Sequence, residues 1–206
     1  MVRFNQDRIK SLYYTQQKGC WKMKKNLLVM ILAAMLITAA NICYGSSFNL
    51  DGVYSNSLYN FSINYPITYE SVYNPNALVE LADTRSDCTM HIIVHDMRGS
   101  GIDSLSEREI LNLLKQKNDI AISEGKIADM GMSVLYQGFL LTADHSHEIY
   151  LIDTVTRDRN GVEVFARNGS IYAGGYIYSI TFMGNYAEKQ SFDELSIHII
   201  RSFMNY

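Results

Sequence analysis

Cysteine and proline are both scarce in this 206-residue chain, which contains three cysteines and two prolines. Cys20 and Cys43 lie near the amino terminus, and Cys88 is the only other cysteine. Small secreted domains with little hydrophobic core are normally rich in disulfides, so this count excludes a disulfide-stapled scaffold. Residues 46–206 also contain no proline-rich or low-complexity stretch, so the sequence predicts no linker and no internal repeat there.

No apolar run in the sequence is long enough to cross a bilayer comfortably. The longest run, Leu27 to Ala40, has about fourteen residues, whereas a membrane-spanning helix needs roughly twenty. Lys22, Lys24 and Lys25 come shortly before it, and Cys43–Gly45 places small side chains at the two positions that a signal peptidase reads. The pattern predicts a signal peptide over residues 23–45 that is cut before Ser46, with a retained membrane anchor as the alternative.

Residues 1–22 have no apolar periodicity and would make an unusual start for a signal peptide. We interpret them as a gene-start extension, with the functional start at Met23. Cys43 raises a further alternative, because a lipid on an amino-terminal cysteine would hold the protein on the membrane. Ile42 precedes it, whereas lipid-attachment boxes have a small residue at that position. We therefore predict membrane contact through the signal peptide, and a lipid on Cys43 is the less favoured alternative.

Positive charge is scarce in residues 46–206, which we predict to be a single exported domain. This segment contains 11 Lys and Arg residues against 20 Asp and Glu residues, a formal charge of −9. Nucleic-acid-binding domains need a basic face, because the release of counterions from phosphates supplies most of the affinity. The composition therefore excludes nucleic acid as a partner. After the predicted cut Cys88 has no disulfide partner, and we expect it to be a buried strand residue.

Hydrophobic periodicity in residues 46–206 predicts strands that are joined by hairpins. The segment YNFSINYP, residues 59–66, alternates apolar and polar side chains and predicts a half-buried strand. Residues 77–95 predict a hairpin with its turn at Thr84–Asp87. Further turns are predicted at Asp158–Gly161, where the Asn-Gly pair favours type I′, and at Ala173–Gly175. The strands predicted in this later part are 127–131, 133–142, 147–156, 162–167 and 176–183.

Two helices interrupt the strands. Ser104 and Glu107 have the spacing of a capping box, and so have Ser191 and Glu194, so each pair predicts the start of a helix. The first helix is predicted to stop near Gly125. The buried stripes are predicted to be Ile110, Leu111, Leu114 and Ala121 in the first helix, and Phe192, Leu195, Ile199 and Phe203 in the second. This order of parts predicts the α+β class, with an antiparallel β-sheet flanked by helices.

The order of these parts resembles the PsbP-like family, named for the extrinsic photosystem II protein, whose superfamily also contains a nuclear Ran-binding protein. YNFSINYPITYE is similar to the family's opening f-x-i-x-Y-P-x-x-W, with Tyr69 where tryptophan is common. GGYIYSITFMGN and FDELSIHIIRSFMNY resemble its tyrosine-rich strand and its closing helix, which ends on Ser-Phe, here Ser202-Phe203. The resemblance covers nearly all of residues 46–206. It implies an α-β-α sandwich and roles in binding or assembling other proteins, and it implies no reaction.

Catalytic and nucleotide-binding motifs are absent from the sequence. It contains no Gly-x-Ser-x-Gly, no Gly-x-x-x-x-Gly-Lys and no Gly-x-Gly-x-x-Gly after a predicted strand. His145 and His147 would be about 7 Å apart on one face of a strand, which is compatible with a shared metal ion. Zinc needs a third or fourth ligand, for which His91 or His95 could serve if their strand lies alongside. We predict no catalytic residue and no cofactor, with zinc or another divalent metal at His145 and His147 as the alternative.

Tyrosine is abundant, with 15 residues in the chain. We interpret eight of them as sheet residues with one edge in solvent, although tyrosine is also enriched at binding surfaces. They form an early and a late group: Tyr54, Tyr59, Tyr65, Tyr69 and Tyr73, and Tyr172, Tyr176 and Tyr178.

The leading prediction for the function is an exported, non-enzymatic bacterial envelope protein, periplasmic or at the cell surface, that binds another envelope component. A small metal-binding protein is the second prediction and an enzyme the third.

Overall fold

The structure is a computed structural model, and it describes residues 49–83, 88–102 and 104–206. The predicted gene-start extension, the signal peptide, Cys43 and the turn at residues 84–87 lie outside the described residues and stay predictions. Within the described ranges, no helix combines the length and the apolar character that crossing a bilayer requires.

Antiparallel strands dominate the described part of the chain. The strands are β1 (Gly52–Asn56), β2 (Phe61–Tyr65), β3 (Tyr69–Val72), β4 (Val79–Asp83), β5 (Thr89–Asp96), β6 (Met132–Leu141), β7 (Glu148–Arg157), β8 (Glu163–Ala173), β9 (Tyr176–Asn185) and β10 (Met204–Asn205). The helices are α1 (Glu107–Ser123), α2 (Lys126–Asp129) and α3 (Lys189–Arg201). A main sheet has the strand order β3-β4-β5-β9-β8-β7-β6, and a small sheet has the order β1-β2-β10. The predicted α+β class is confirmed.

The two faces of the main sheet differ in polarity, because alternate residues of a strand point to opposite sides. One face presents large apolar side chains, such as Phe165 and Phe182, to a hydrophobic core that includes α3 and the small sheet. The opposite face carries buried polar side chains. Asn168 Nδ2 donates to Ser179 Oγ at 2.6 Å and to Thr181 Oγ1 at 2.7 Å. Since buried polar groups cost stability unless they are hydrogen-bonded, this network compensates the burial of its members.

Helix α1 begins at a different capping box from the predicted one. Ser106, rather than Ser104, is the N-cap: its Oγ accepts a hydrogen bond from the Glu109 N–H at 3.3 Å, and Glu109 Oε2 accepts from the Ser106 N–H at 2.8 Å. Both serines have a glutamate three positions later, so the spacing alone does not distinguish them. The predicted stop is confirmed, since Gly125 follows the helix with φ 73°. The predicted stripe Ile110, Leu111, Leu114 and Ala121 is buried.

The closing helix begins earlier than the sequence predicted. Helix α3 starts at Lys189 after Glu188, which makes no side-chain capping bond, so the predicted cap at Ser191 and Glu194 is wrong. A 3₁₀ turn, Tyr186–Glu188, leads into the helix, and Asn185 Oδ1 caps that turn by accepting from the Ala187 N–H at 2.9 Å. The predicted apolar stripe is nevertheless confirmed, since Phe192, Leu195, Ile199 and Phe203 are all buried.

The sequence predicted a strand at residues 127–131, and this prediction is wrong. Lys126–Asp129 form the short helix α2, which is bracketed by Gly125 and Gly131, with φ of 73° and 71°. A left-handed glycine at each end reverses the chain within a few residues. The segment therefore cannot extend into a strand until Met132.

Two of the three predicted hairpin turns lie within the described residues, and their outcomes differ. Gly174 and Gly175 have φ of 57° and 85° and join β8 to β9, as predicted. Asp158–Gly161 joins β7 to β8, but type I′ is wrong, because only Gly161 has a positive φ, 82°. Asp158 Oδ1 accepts from the Asn160 and Val162 N–H groups at 2.8 Å each. These bonds favour a three-residue loop with Gly161 alone in the left-handed region.

Cys88 is buried, as predicted. It is also disulfide-bonded in the uncut chain. The expectation of no disulfide partner applies to a chain cut before Ser46, and it stays a prediction.

A buried arginine that pairs with an aspartate of the main sheet also connects that sheet to α3. Arg167 on β8 makes two hydrogen bonds to Asp153 on β7, from Nε to Oδ1 at 2.8 Å and from Nη2 to Oδ2 at 2.7 Å. Its guanidinium also donates to three acceptors of α3: the carbonyl of Asp193 at 2.7 Å, Asp193 Oδ1 at 2.8 Å and Ser196 Oγ at 2.8 Å. No local pattern in the sequence indicates this set of contacts.

Candidate interaction site

Three side chains from distant parts of the sequence, Tyr59, Arg98 and Tyr176, contact one another beside the β8–β9 turn. Leu58 precedes Tyr59, and the main chain of Tyr206 is bonded to that of Asn60. We call Leu58, Tyr59, Arg98, Tyr176 and Tyr206 the tyrosine surface. The rings of Tyr59 and Tyr176 meet edge to face with centroids 5.4 Å apart. The guanidinium carbon of Arg98 lies 4.6 Å from the centroid of the Tyr176 ring. Leu58 is 74% exposed, and Tyr206 is also exposed. Tyrosine, arginine and an exposed apolar side chain are typical of protein interfaces.

The tip of the β1–β2 hairpin presents Leu58 on a fixed turn. Asn56 Oδ1 accepts hydrogen bonds from the N–H groups of Leu58 at 3.0 Å and Tyr59 at 3.1 Å. Asn60 closes the turn with φ 52°, a conformation that asparagine adopts more readily than most residues. The carbonyl of Asn60 accepts from the N–H of Tyr206 at 3.1 Å. This last bond holds the carboxyl-terminal residue beside the hairpin tip.

Tyr178 connects the tyrosine surface to the hydrophobic core. Its hydroxyl donates to the carbonyl of Tyr59 at 2.7 Å, and its ring centroid lies 5.1 Å from that of Phe61 and 4.8 Å from that of Phe203. Burial, with a smaller contribution from the neighbouring Tyr176, raises the pKa of Tyr178 to about 12. Tyr178 therefore stays protonated at physiological pH and keeps this hydrogen bond.

Asp96 orients Arg98 over the Tyr176 ring. Its carboxylate accepts from Arg98 Nε at 2.9 Å and from Nη2 at 2.6 Å. The stem of Arg98 crosses the β8–β9 turn at Gly175, where a Cβ would lie 2.7 Å from Arg98 Cγ. The side-chain hydrogen bond from Arg98, together with its main-chain N–H, lowers the pKa of Asp96 to about 2. Asp96 therefore stays ionised throughout the physiological range.

Replacing Arg98 with methionine is expected to raise the pKa of Asp96 from about 2 toward its ordinary value of 3.8. The shift should be partial, because the main-chain N–H of residue 98 still donates to the carboxylate. Since the folded pKa lies below the unfolded one, the pair stabilises the fold above about pH 4, and this contribution is lost as the pH falls toward 2. A carboxyl NMR titration of both proteins measures the shift.

The matched control for this titration is Arg157→Met, which removes an exposed arginine that pairs with Glu163. It should leave the titration of Asp96 unchanged. An Asp96 midpoint near 3.8 in the unmodified protein would show that Asp96 and Arg98 are not paired in solution.

The structure brings together three of the eight tyrosines that the sequence analysis named: Tyr59, Tyr176 and Tyr178. Five of the eight are half-buried, as predicted for sheet residues with one edge in solvent. Leu58, Arg98 and Tyr206 were missed. Their proximity depends on the meeting of a hairpin tip, a turn and the chain end, and no local pattern indicates that meeting. The remaining tyrosines are Tyr54, Tyr65 and Tyr172, which are half-buried, Tyr69, which is buried, and Tyr73, which is exposed.

His145 and His147 lie in the β6–β7 turn in different surroundings. His145 is exposed and has φ 60°, whereas His147 is half-buried with its Nδ1 3.5 Å from Glu107 Oε2. Burial raises the pKa of Glu107, and His147 acts in the opposite direction. The described ranges contain no group of three or more His, Cys, Asp or Glu side chains placed to hold a metal ion. The condition for His91 or His95 is not met, because β9 and β8 lie between β5 and β7.

Comparison with known proteins shows the fold. No protein-family model and no curated protein matches the sequence. The solution structure of cyanobacterial PsbP (CyanoP) from Synechocystis sp. PCC 6803 matches with a TM-score of 0.52 at 11% identity, over 78% of this chain and 98% of that chain. A crystal structure of a protein from Bacteroides thetaiotaomicron matches with a TM-score of 0.53 at 11% identity, over 77% of this chain and 49% of that chain.

The chain thus spans about half the length of the Bacteroides protein. The Ran-binding protein Mog1p of Saccharomyces cerevisiae is less similar, with a TM-score of 0.46 at 8% identity over 82% of this chain and 96% of that chain. The chain has the PsbP fold, and the resemblance drawn from the sequence motifs is confirmed at the level of the fold.

Proposed function

We propose that this chain is an exported, non-enzymatic binding module of the bacterial envelope, which contacts a protein partner through the tyrosine surface. The observation that carries the proposal is the exposure of Leu58 beside an ordered Tyr59–Tyr176–Arg98 stack. The PsbP fold is compatible with a binding module. Fold alone does not define a function, so the proposal depends on the surface.

The tyrosine surface is largely ordered before any partner binds. Asn56 Oδ1 accepts from the main-chain N–H of Leu58, and the Asp96 carboxylate accepts from the Arg98 side chain. Tyr176 lies between Tyr59 and Arg98. Association normally costs about 0.5–1.5 kcal/mol for each flexible side chain that becomes ordered. Side chains that are already fixed avoid part of this cost, which favours binding through this surface.

Two carboxylates with strongly lowered pKa values have structural causes. Asp96, the last residue of β5, pairs with Arg98. Hydrogen bonds from Thr142 and Ser146 within the β6–β7 turn lower the pKa of Asp144 to about 2. Structural contacts perturb pKa values as active sites do, so these shifts are compatible with a non-enzymatic function.

We further propose the α-β-α sandwich that the family resemblance implies, with α1 and α3 on opposite faces of the main sheet. Consecutive residues of β7 support it. The Tyr150 hydroxyl accepts a hydrogen bond from Asn118 Nδ2 of α1 at 3.0 Å, whereas Ile149 lies in the core cluster with Ile200 of α3. Export to the periplasm or cell surface is supported by the signal-peptide pattern at residues 23–45. The acidic composition supports a protein partner rather than nucleic acid.

Leu58→Asp is expected to weaken capture of the envelope partner at least tenfold, which corresponds to about 1.4 kcal/mol, because it would bury a charge without a counterion in the interface. The measurement is affinity capture from the native membrane fraction with the tagged full chain, followed by quantitative mass spectrometry. Ile67→Asp is the matched control, because Ile67 is 71% exposed against 74% for Leu58 and lies at the other end of β2. Equal capture by the two variants would remove the tyrosine surface from the proposal.

Metal binding at His145 and His147 is the alternative proposal, and the approach of His147 to Glu107 is the observation in its favour. The test is metal analysis of the full chain after purification without chelators. A stoichiometric zinc ion that is lost in the His145→Ala, His147→Ala double variant would support this alternative. Protein that binds no added zinc would exclude it.

A further inference from the structure

The two edges of the main sheet are built differently. β3, at one edge, has four residues and includes Glu70, and both prolines of the chain, Pro66 and Pro75, flank it. Short length, charge and proline protect edge strands from pairing with another chain. β6, at the other edge, has ten residues, MSVLYQGFLL, with no charge and no proline. β6 does have a bulge at Leu135, where its register with β7 shifts, and a bulge is a further feature that protects edge strands.

Alternation along β6 identifies the main-chain groups that face away from β7. The N–H of Thr142, just after β6, donates across the hairpin at 3.0 Å. In an antiparallel ladder, Leu141, Phe139 and Gln137 therefore direct their N–H and C=O groups outward. Arg201 Nε donates to the carbonyl of Leu141 at 3.0 Å, as this assignment requires. Within the described residues β6 pairs with β7 alone, so Gln137 and Phe139 present main-chain groups that an extended strand can match.

Two ion pairs border β6, and Arg201 lies at its carboxyl end. Arg108 Nη1 lies 2.8 Å from Glu148 Oε1, and its guanidinium carbon lies 3.9 Å from the centroid of the Phe139 ring. Lys115 pairs with Asp119 at 2.7 Å. The predicted exported domain has a formal charge of −9, so two copies repel each other over most orientations. An edge with an uncharged strand, two ion pairs and one arginine adds no negative charge of its own, so a second acidic copy can approach it with little repulsion.

Apolar side chains are also exposed along this edge. Leu135, Tyr136 and Leu141 are each exposed to a similar extent. Tyr136 lies over Gly138, where a Cβ would come 2.2 Å from the tyrosine hydroxyl. The edge thus combines outward main-chain groups with apolar surface, the combination that promotes strand addition.

We propose that β6 pairs antiparallel with β6 of a second copy of this chain about a twofold axis perpendicular to the sheet. The twofold axis makes one edge complementary to itself, as in other isologous dimers. Gln137 and Phe139 of one copy then exchange main-chain hydrogen bonds with Phe139 and Gln137 of the other, and the two main sheets become one continuous sheet. The proposal is independent of the tyrosine surface, which lies on other elements.

The test is sedimentation equilibrium of the full-length gene product, purified as expressing cells process it, from about 1 µM to about 1 mM, where small interfaces associate. We expect the weight-average mass to rise with concentration toward twice the monomer mass. Leu135→Lys should abolish the rise, because the proposed register places residue 135 opposite Leu141 of the other copy. The carbonyl of Leu141 is bound by Arg201, so the lysine would meet a like charge there. Val72→Lys on β3 is the matched control, since Val72 is 44% exposed and Leu135 43%, and it should leave the rise unchanged.

Hydrogen exchange of the unmodified protein provides a readout that does not depend on variants. The amides of Gln137 and Phe139 should exchange more slowly as the concentration rises, whereas the amide of Leu140, which points to β7, should not change. A constant monomer mass would overturn the proposal, and so would a dimer that survives Leu135→Lys. A monomeric chain whose β6 amides become protected only when another protein is added would overturn it as well, and would assign the edge to a strand of that protein.

Discussion

Replacing Arg167 with methionine is expected to lower the free energy of unfolding by about 3–5 kcal/mol, the usual cost of removing one partner from a buried ion pair. Arg167 is 3% exposed and Asp153 2%, so Asp153 would be left buried without its counterion. The same change removes the hydrogen bonds from Arg167 to Asp193 and Ser196. Urea denaturation of both proteins at neutral pH measures the difference.

Arg157→Met provides the control for this prediction. Arg157 pairs with Glu163 between the same two strands, but its side chain is exposed, and exposed pairs contribute about 0–1 kcal/mol. Combining Arg167→Met with Asp153→Leu should recover much of the loss, because the double variant leaves no unpaired charge on the strands. A loss below about 1 kcal/mol for Arg167→Met alone would contradict a stabilising role of the buried Arg167–Asp153 ion pair, since surface changes usually fall in that range.

Phe61→Ala is expected to lower the free energy of unfolding by about 3–5 kcal/mol, as other buried phenylalanine truncations do. Phe61 is fully buried, and its ring packs against Tyr54, Tyr178 and Phe203. It belongs to β2 of the small sheet, whereas Tyr178 belongs to the main sheet. The truncation therefore removes the contact that joins the two sheets beneath the tyrosine surface.

Phe165→Ala separates the loss of stability from the loss of the tyrosine surface. Phe165 is equally buried, but it packs against Phe192, and we expect a comparable loss of stability. Phe61→Ala should also accelerate amide exchange at residues 58–60, because the Tyr178–Tyr59 hydrogen bond depends on the ring below it. Phe165→Ala should leave those amides unchanged. The same exchange pattern in both variants would mean that Phe61 does not support the hairpin tip specifically.

Local patterns predicted the elements whose signal is contained in a few neighbouring residues. The alternation in YNFSINYP predicted β2, the two glycines after Ala173 predicted a hairpin turn, and the two apolar stripes predicted the buried faces of α1 and α3. Each of these signals acts between residues close in sequence, where backbone geometry decides which side chains share a face. The α+β class follows from their order.

Local patterns failed where two similar signals competed or where glycine changed the outcome. Ser104 and Ser106 have the same capping-box spacing, and the hydrogen bonds of Ser106 select the second. The apolar residues near Ile127 resemble a short strand, but Gly125 and Gly131 bracket a helical turn there. The Asn-Gly pair favours type I′, but Asp158 holds the chain in a longer loop.

The sequence by itself determined the class of this protein, the buried faces of its helices and most of its strand positions, because these depend on composition and on contacts between residues near in sequence. Only the tertiary structure decided which edge of the sheet is unprotected, which arginine is buried and which tyrosines meet. Tyr59 and Tyr176 are 117 positions apart, and Arg167 contacts both an earlier strand and a later helix. Such contacts depend on how strands pair across the whole chain, and that pairing leaves no periodic signal in the sequence around either residue.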